Sequence, residues 1–273
     1  LYNWGVGTGG YIGNLGITSF SSPIKVGALN DWLRSSATNS FGTCLAVKKD
    51  GTLWAWGDNT YGQIGDNTIV PKSSPVQIGT LNTWKFVMGG DISGYGQMRD
   101  GSIWSWGGNV NAALGLGALT HRSSPVQIGA LTSWRSILAS TNTQRFYTGY
   151  TGNEFSMLLD TFDNGGGFAP TGRLYGCGRN TSGQLGNGTI TTVSQFGLSY
   201  SKSDWKQIGL GWVHSSGIDS AGKLWAWGDN TQGQLGQGDS VHRSSPAQVG
   251  SFTDWKFTGT TGNYHIFAIR TPY

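Results

Sequence analysis

The chain has 273 residues; 12% are charged, 46 are glycine and 13 are tryptophan, with 18 Lys and Arg against 14 Asp and Glu. So much glycine, at roughly 1 kcal/mol per helical position, excludes a helical protein. The lack of a three-residue glycine period excludes collagen, the aromatic content excludes disorder, and no apolar run approaches the ~18 residues of a membrane span. A surplus of 18 − 14 = +4 with no Lys/Arg cluster argues against a nucleic-acid-binding patch. Cys44 and Cys177 stand far apart with no CxxC spacing, so neither a structural zinc site nor a disulfide scaffold is expected. The chain opens at Leu1, with neither Met nor a signal-like apolar segment, as a processed or excised piece would.

In chain order the predicted elements repeat. A glycine-ending dipeptide recurs as Trp4-Gly5, Trp56-Gly57, Trp106-Gly107, Cys177-Gly178 and Trp227-Gly228. Twenty-seven residues after each of these anchor glycines stands Trp32, Trp84, Trp134, Trp205 or Trp255; eighteen after stands Pro23, Pro75, Pro125, Phe196 or Pro246. Three before stands an aromatic residue: Tyr2, Trp54, Trp104, Tyr175 or Trp225. This lattice accounts for 12 of the 13 tryptophans, leaving Trp212 off it.

Each repeat holds four strand candidates, A to D. In one repeat these are Trp84–Met88, Gly96–Arg99 up to the Asp100-Gly101 turn, Ile103–Trp106, and Val126–Ile128 after Pro125. Strand C alternates, placing Trp104 and Trp106 on one face. Asp-Gly before an aromatic strand signals a hairpin, and Pro at the start of D suits an outer edge strand. About 50 residues, four strands and stacked aromatics describe a β-propeller blade. The expected fold is all-β, one domain of five four-stranded blades at 28–79, 80–129, 130–200, 201–250, and 251–273 plus 1–27. The last blade is closed by pairing N-terminal C and D strands with C-terminal A and B strands, which hides two sticky ends.

The segments Trp54-Ala-Trp-Gly-Asp-Asn-Thr-Tyr-Gly-Gln-Ile-Gly65, Ser73-Ser-Pro-Val-Gln-Ile-Gly79 and Trp205-Lys-Gln-Ile with His214-Ser215 resemble regulator of chromosome condensation repeats. The resemblance runs over essentially the whole chain. It implies a propeller with A strands lining the axis, a fold shared by nucleotide-exchange factors, enzyme inhibitors and bacterial and phage proteins. The chromatin member of that family has seven blades and a basic tail. Here five are counted, no tail is found, nothing matches the GTPase-engaging segment, and no functional residue carries over.

Two phosphate-binding look-alikes fall inside the lattice. Gly5-Val-Gly-Thr-Gly-Gly10 fits GxGxxG but sits where other repeats carry Gly57-Asp-Asn-Thr-Tyr-Gly62, with no helix expected after it; Gly217–Lys223 is a B–C hairpin. His214 with His265, and His121 with His242, take equivalent places in different blades, so structural roles are expected rather than metal ligation. Asp31, Asp204, Asp254, Asp50, Asp100, Asp58 and Asp229 recur at repeat positions and read as turn or capping residues. Glu154 and Asp91 are the acids a catalytic pair would need. Asn180-Thr-Ser182 and Asn187-Gly-Thr189 are glycosylation sequons that arise easily in such a repeat, and Cys177 reads as a small core substitute.

What breaks the lattice points to function. A–B and C–D connections share one face of a propeller. Trp212 falls in an A–B loop, with Phe41, Ile92 and Tyr264 as its equivalents. The third repeat carries 71 − 50 = 21 extra residues, partly in its A–B loop around Thr141–Tyr150 and partly from Asp160 to Gly172. One face would then present Trp212, Tyr264, Phe41, Ile92, Arg145, Phe146, Tyr147 and Tyr150, with Tyr61 from a C–D loop. Tyr, Trp and Arg dominate binding hot spots. The expected function is a non-catalytic recognition or structural module without cofactor or metal, on a virion or extracellular surface. It would bind a protein or glycan and no nucleic acid, within a larger assembly if oligomeric. The alternatives are a purely structural assembly subunit and an exchange-factor-like regulator of a small GTPase.

Overall fold

Strand-forming runs alternate with glycine-rich turns along the sequence. The computed structural model describes residues 1–27, 30–37, 42–90, 92–130, 132, 134, 137–139, 143–145, 147–148, 155–161, 172–261 and 264–271, with backbone alone at 137–139, 143–145, 147–148, 160–161 and 260–261. Two compact units emerge.

The first unit comprises Leu1–Val110 and Leu119–Thr132. Its strands are β1 (Tyr2–Gly5), β2 (Phe20–Lys25), β3 (Trp32–Ala37), β4 (Cys44–Lys48), β5 (Leu53–Gly57), β6 (Lys72–Gln77), β7 (Trp84–Gly89), β8 (Ser93–Met98), β9 (Ile103–Gly107) and β10 (Arg122–Gln127). They form a two-stranded sheet β1–β2 and two antiparallel four-stranded sheets, β3–β4–β5–β6 and β7–β8–β9–β10. In the second unit, Asn111–Ala118 with Ser133–Tyr273, the strands are β11 (Ile137–Ala139), β12 (Thr143–Arg145), β13 (Tyr147–Thr148), β14 (Phe155–Thr161), β15 (Gly172–Gly178), β16 (Val193–Leu198), β17 (Trp205–Leu210), β18 (His214–Asp219), β19 (Leu224–Gly228), β20 (Arg243–Gln248), β21 (Trp255–Thr261) and β22 (His265–Arg270). There β11 pairs with β12, β21 with β22, and β16 with β15. A longer path runs β13–β14–β15–β17–β18–β19–β20, its β15–β17 step resting on one pair, Gly172 opposite Trp205.

The A to D pattern is plain in β3–β6, β7–β10 and β17–β20. Asp-Gly closes the B–C hairpin as expected: Asp100 Oδ1 accepts the Ser102 N–H at 2.8 Å while Gly101 takes φ +89. Strand D differs from expectation. It begins three residues before its proline, so Pro75 lies inside β6. The register jumps from Gly57 opposite Lys72 to Ala55 opposite Val76. The proline thus occupies a bulge on an outer strand, where no ladder N–H is missed.

Tryptophans hold each blade. Trp84 of β7 meets Trp104 edge-on at 6.0 Å and Trp106 at 6.1 Å; Trp32 does the same with Trp54 and Trp56, and Trp205 with Trp225 and Trp227. Trp56, Trp106, Trp205 and Trp227 are fully buried, and each large ring removes roughly 150–250 Å² from water, worth a few kcal/mol. The second C-strand tryptophan also ties a blade to the loop of the preceding repeat. Its indole N–H donates to the carbonyl six residues past that repeat's anchor glycine: Trp56 to Tyr11 at 3.2 Å, Trp106 to Gln63 at 2.9 Å, Trp227 to Gln184 at 2.9 Å. The anchor glycine itself must be glycine. Gly57 takes φ +103, and a Cβ there would lie 2.1 Å from the Gly42 carbonyl oxygen.

Candidate functional site

The C–D loops are stiffened by two side chains. Asn59, fully buried, accepts the Ile64 N–H on Oδ1 at 2.9 Å and donates from Nδ2 to the Thr68 and Val70 carbonyls. Asn180 and Asn230 repeat the arrangement. Gln63 Oε1 accepts the Tyr61 N–H at 2.8 Å, while its Nε2 donates to Asp58 Oδ2 at 2.7 Å. Asp58 and Asp229 therefore hold loops, as expected. Asn180, at 0% exposure with its amide engaged, offers no acceptor for a glycan.

In the first unit, Tyr61 is half-buried, its ring edge-on to His121 at 5.4 Å. His121 Nδ1 accepts the Asn109 N–H at 2.9 Å, and His242 Nδ1 accepts that of Asn230 at 3.0 Å, giving both imidazoles a structural duty. Asp31, Asp204 and Asp254 depart from the expected capping role and form ion pairs with Lys48 at 3.3 Å, Lys202 at 3.0 Å and Arg270 at 2.8 Å. These cations lie over the blade aromatics: Lys48 Nζ is 4.1 Å from the Trp54 ring centre, Lys202 Nζ 5.1 Å from that of Trp225, and the Arg270 guanidinium 3.5 Å from that of Phe252. An acid just before Trp32, Trp205 and Trp255 was the signal for these cages.

The A–B turns carry the expected contact residues, and the ladders revise their alignment. Ser93 pairs with Gly107 and His214 with Gly228. The Gly108 N–H donates to the Ile92 carbonyl and the Asp229 N–H to that of Val213, so Ile92 aligns with Val213 and not with Trp212. Tyr264, directly before His265, follows Ile92. The side chain of Ile92 is buried, 1% exposed, in the space left by Gly108, so Ile92 contributes packing and no surface. Arg145 and Tyr147 lie in β12 and β13. Phe41, Phe146 and Tyr150, and the acids Asp91 and Glu154, lie outside the described residues.

The second unit brings two of these turns together. Strand β21 packs against β17 and β18, and the His265 carbonyl lies 3.3 Å from His214 Nε2. On the β17–β18 turn Trp212 is half-buried, its indole nitrogen buried and without an acceptor among the described residues; on the β21–β22 turn Tyr264 is 49% exposed. Tyr264, His265 and Ile266 wall a cavity of about 740 Å³ whose other wall is Gln232, Gly233, Gln234 and Gly236 of the fourth repeat's C–D loop. Sequence reasoning missed this cavity. Burial pushes the His214 imidazole below its ordinary 6.5, against the pull of the His265 carbonyl. Burial raises both thiols, Cys44 to about 11. Among the described residues no three His, Cys, Asp or Glu gather as a metal site, and no helix is long and apolar enough to cross a membrane.

Antiparallel blades of four strands, stacked through a tryptophan lattice and joined by stiffened loops, define a β-propeller repeat protein. The chain belongs to the regulator of chromosome condensation (RCC1) repeat family, whose model matches residues 50–91, 100–142, 171–218 and 221–269; a second model of these repeats matches 205–234. Among solved structures, Prp20p of Saccharomyces cerevisiae, studied for its binding to Gsp1p and histones, is 17% identical. It aligns with 94% of this chain and 60% of its own, at a TM-score of 0.71. Human WBSCR16 is 16% identical over 99% of this chain and 67% of its own, at 0.69. The ultraviolet-B receptor UVR8 of Arabidopsis thaliana is 31% identical over 78 residues, which is 29% of this chain and 18% of the receptor.

Proposed function

We propose that this chain is a non-catalytic interaction module that captures a protein partner with the aromatic side chains of its A–B turns. The observation that carries this reading is the pair Trp212 and Tyr264. A half-buried indole and an exposed phenol stand on turns of the second unit whose backbones are anchored by blade strands. Rigid elements presenting variable loops are the usual platform for recognition, and Tyr and Trp bring large contact area at low entropic expense. The binding of Gsp1p and histones by a protein of the same fold supports a protein rather than a glycan as partner.

The test is capture of partners from virion or surface preparations on the immobilised chain. Trp212→Ala with Tyr264→Ala is expected to reduce specific capture at least about tenfold, with far-UV dichroism and melting temperature nearly unchanged. Undiminished capture, or retention of glycans alone on an array, overturns it. Acceleration of nucleotide release from a small GTPase would restore the exchange-factor alternative. The setting we propose is a virion or extracellular surface, supported by a chain poor in charge and rich in Gly, Ser, Thr and Asn; gold-labelled antibody on intact particles and cells tests it.

A further inference from the structure

The C–D loop of the third repeat carries two Asn-x-Ser/Thr patterns, Asn180-Thr-Ser182 and Asn187-Gly-Thr189, the pattern of an N-glycan acceptor. Asn180 is fully buried and spends its amide inside the loop. Asn187 is placed differently, and the first repeat shows how. Asp66 stands nine residues past the anchor Gly57, and Asn187 nine past Gly178. Asp66 Oδ1 accepts the Thr68 N–H at 3.0 Å, the Thr68 hydroxyl at 2.7 Å and the Asn59 amide at 3.3 Å. Asn187 Oδ1 accepts the Thr189 N–H at 3.1 Å, the Thr189 hydroxyl at 2.8 Å and the Asn180 amide at 3.0 Å. The backbone is shared as well. Asn67 and Gly188 hold φ +64 and +79, and their N–H groups donate to the carbonyls of Ser123 and Ser244 in the next D strand, at 2.7 and 2.8 Å.

The two repeats part at the outer atom of this side chain. Asp66 Oδ2 pairs with Lys72 Nζ at 3.1 Å. The ladders put Lys72 opposite Gly57 and Val193 opposite Gly178, so an apolar residue replaces the cation. The outer atom of Asn187 is Nδ2, which makes no hydrogen bond among the described residues. Asn187 is half-exposed, and the loop from Gly188 to Thr192 is exposed. A Cβ built on Gly188 meets nothing nearer than Ser245 Oγ at 3.7 Å.

We infer that Asn187 is the N-glycan acceptor of this loop and that Asn180 is not. The donor is an oligosaccharide carried on a lipid diphosphate. Asn187 Nδ2 bonds to its anomeric carbon and gives up one proton; the bond from that carbon to the diphosphate oxygen breaks, and the lipid diphosphate leaves with the electron pair. Oδ1 takes no part, so the three hydrogen bonds that hold the loop survive the modification. A bulky polar chain there shields the neighbouring Ile190, 64% exposed.

This rests on the extracellular setting proposed above, since such a donor is met on the secretory route. The test is secretion of the full chain behind a cleavable leader from a glycosylating cell line, read by intact mass and glycopeptide sequencing. Expected is one glycan, on Asn187, released by peptide N-glycosidase. Asn187→Asp and Thr189→Ala lose it, while Thr189→Ser keeps it. Ser182→Ala removes only the Asn180 pattern and also keeps it. Asn187→Asp installs the side chain that the first repeat carries at this place. A melting temperature close to that of the unglycosylated chain therefore separates loss of the acceptor from loss of the fold. An unmodified Asn187 in the secreted chain overturns the inference, as does a glycan lost in Ser182→Ala. Labelling of the native protein confined to the cell interior fails the proposed setting, while a glycan on Asn187 of the secreted chain still upholds the acceptor.

Discussion

His214 shows how one side chain is constrained by its place in a blade. It is fully buried on β18, with no partner for Nδ1 among the described residues and Nε2 facing the His265 carbonyl. Burial favours the neutral ring, so the folded-state pKa lies below the ordinary 6.5. The unfolded chain therefore takes up the proton first as the solution is acidified. This contribution to stability is complete above about 6.5 and is lost as pH falls from there toward the native value. Denaturant unfolding at pH 7.5 and 5.0 is expected to show a loss that His214→Gln reduces. Asp50, lowered by its hydrogen bonds to Thr52, and Asp100, lowered by those to Ser102, act only below about 4 and leave that window clear. Equal slopes in the two proteins would assign the loss to another group.

At the scale of the element, the third repeat shows how a blade absorbs a missing tryptophan. Cys177 stands at the lattice position, and its thiol donates to the Ala113 carbonyl at 3.2 Å, the counterpart of the bond made by Trp106 and Trp227. The lost ring volume is supplied by Phe196, which replaces the lattice proline and packs at 6.5 Å against Trp134 and beside Gly115. Two departures from the repeat are thus one compensated exchange. Cys177→Trp alone would overpack the site at about 1–3 kcal/mol, and Phe196→Pro alone would leave it underfilled. The double variant is expected to recover at least about 1 kcal/mol of their summed cost, read from urea unfolding as a coupling energy. Simple additivity would break the link between the two positions.

The same repeat marks how far the sequence could be read. Strand identity, the Asp-Gly hairpins and the tryptophan contacts were legible because each recurs at a fixed offset, and recurrence separates packing from accident. The bulge around Pro75 was not, since a proline on an outer strand is compatible with either the start or the interior of D. Nor was the burial of Ile92. One residue of slip in the A–B turn decides whether a side chain faces solvent or fills the space over Gly108, and turn length varies between repeats. The cation cages needed pairs such as Lys48 with Asp31, brought together only by the ladder of β3 with β4.

For the molecule as a whole, the charge pattern predicts how it meets its partner. The net charge is only +4, and five of the 18 Lys and Arg are committed within the chain: Lys48 to Asp31, Lys72 to Asp66, Lys202 to Asp204 and Asp219, Arg243 to Asp239, and Arg270 to Asp254. So small a net charge leaves little long-range field to steer a polyanion, and salt at physiological strength screens what remains beyond about 8 Å. The contact proposed through Trp212 and Tyr264 would rely instead on buried apolar area, which salt does not weaken. Partner affinity is therefore expected to change by less than about threefold between 50 and 500 mM NaCl, against the ~10³-fold or greater loss of a protein that neutralises six or more phosphates. A fluorescent 20-base-pair duplex should show no saturable binding below roughly 100 μM at 150 mM salt. A steep salt dependence of partner capture, or tight duplex binding, would locate recognition in charged residues and remove the aromatic turns from that role.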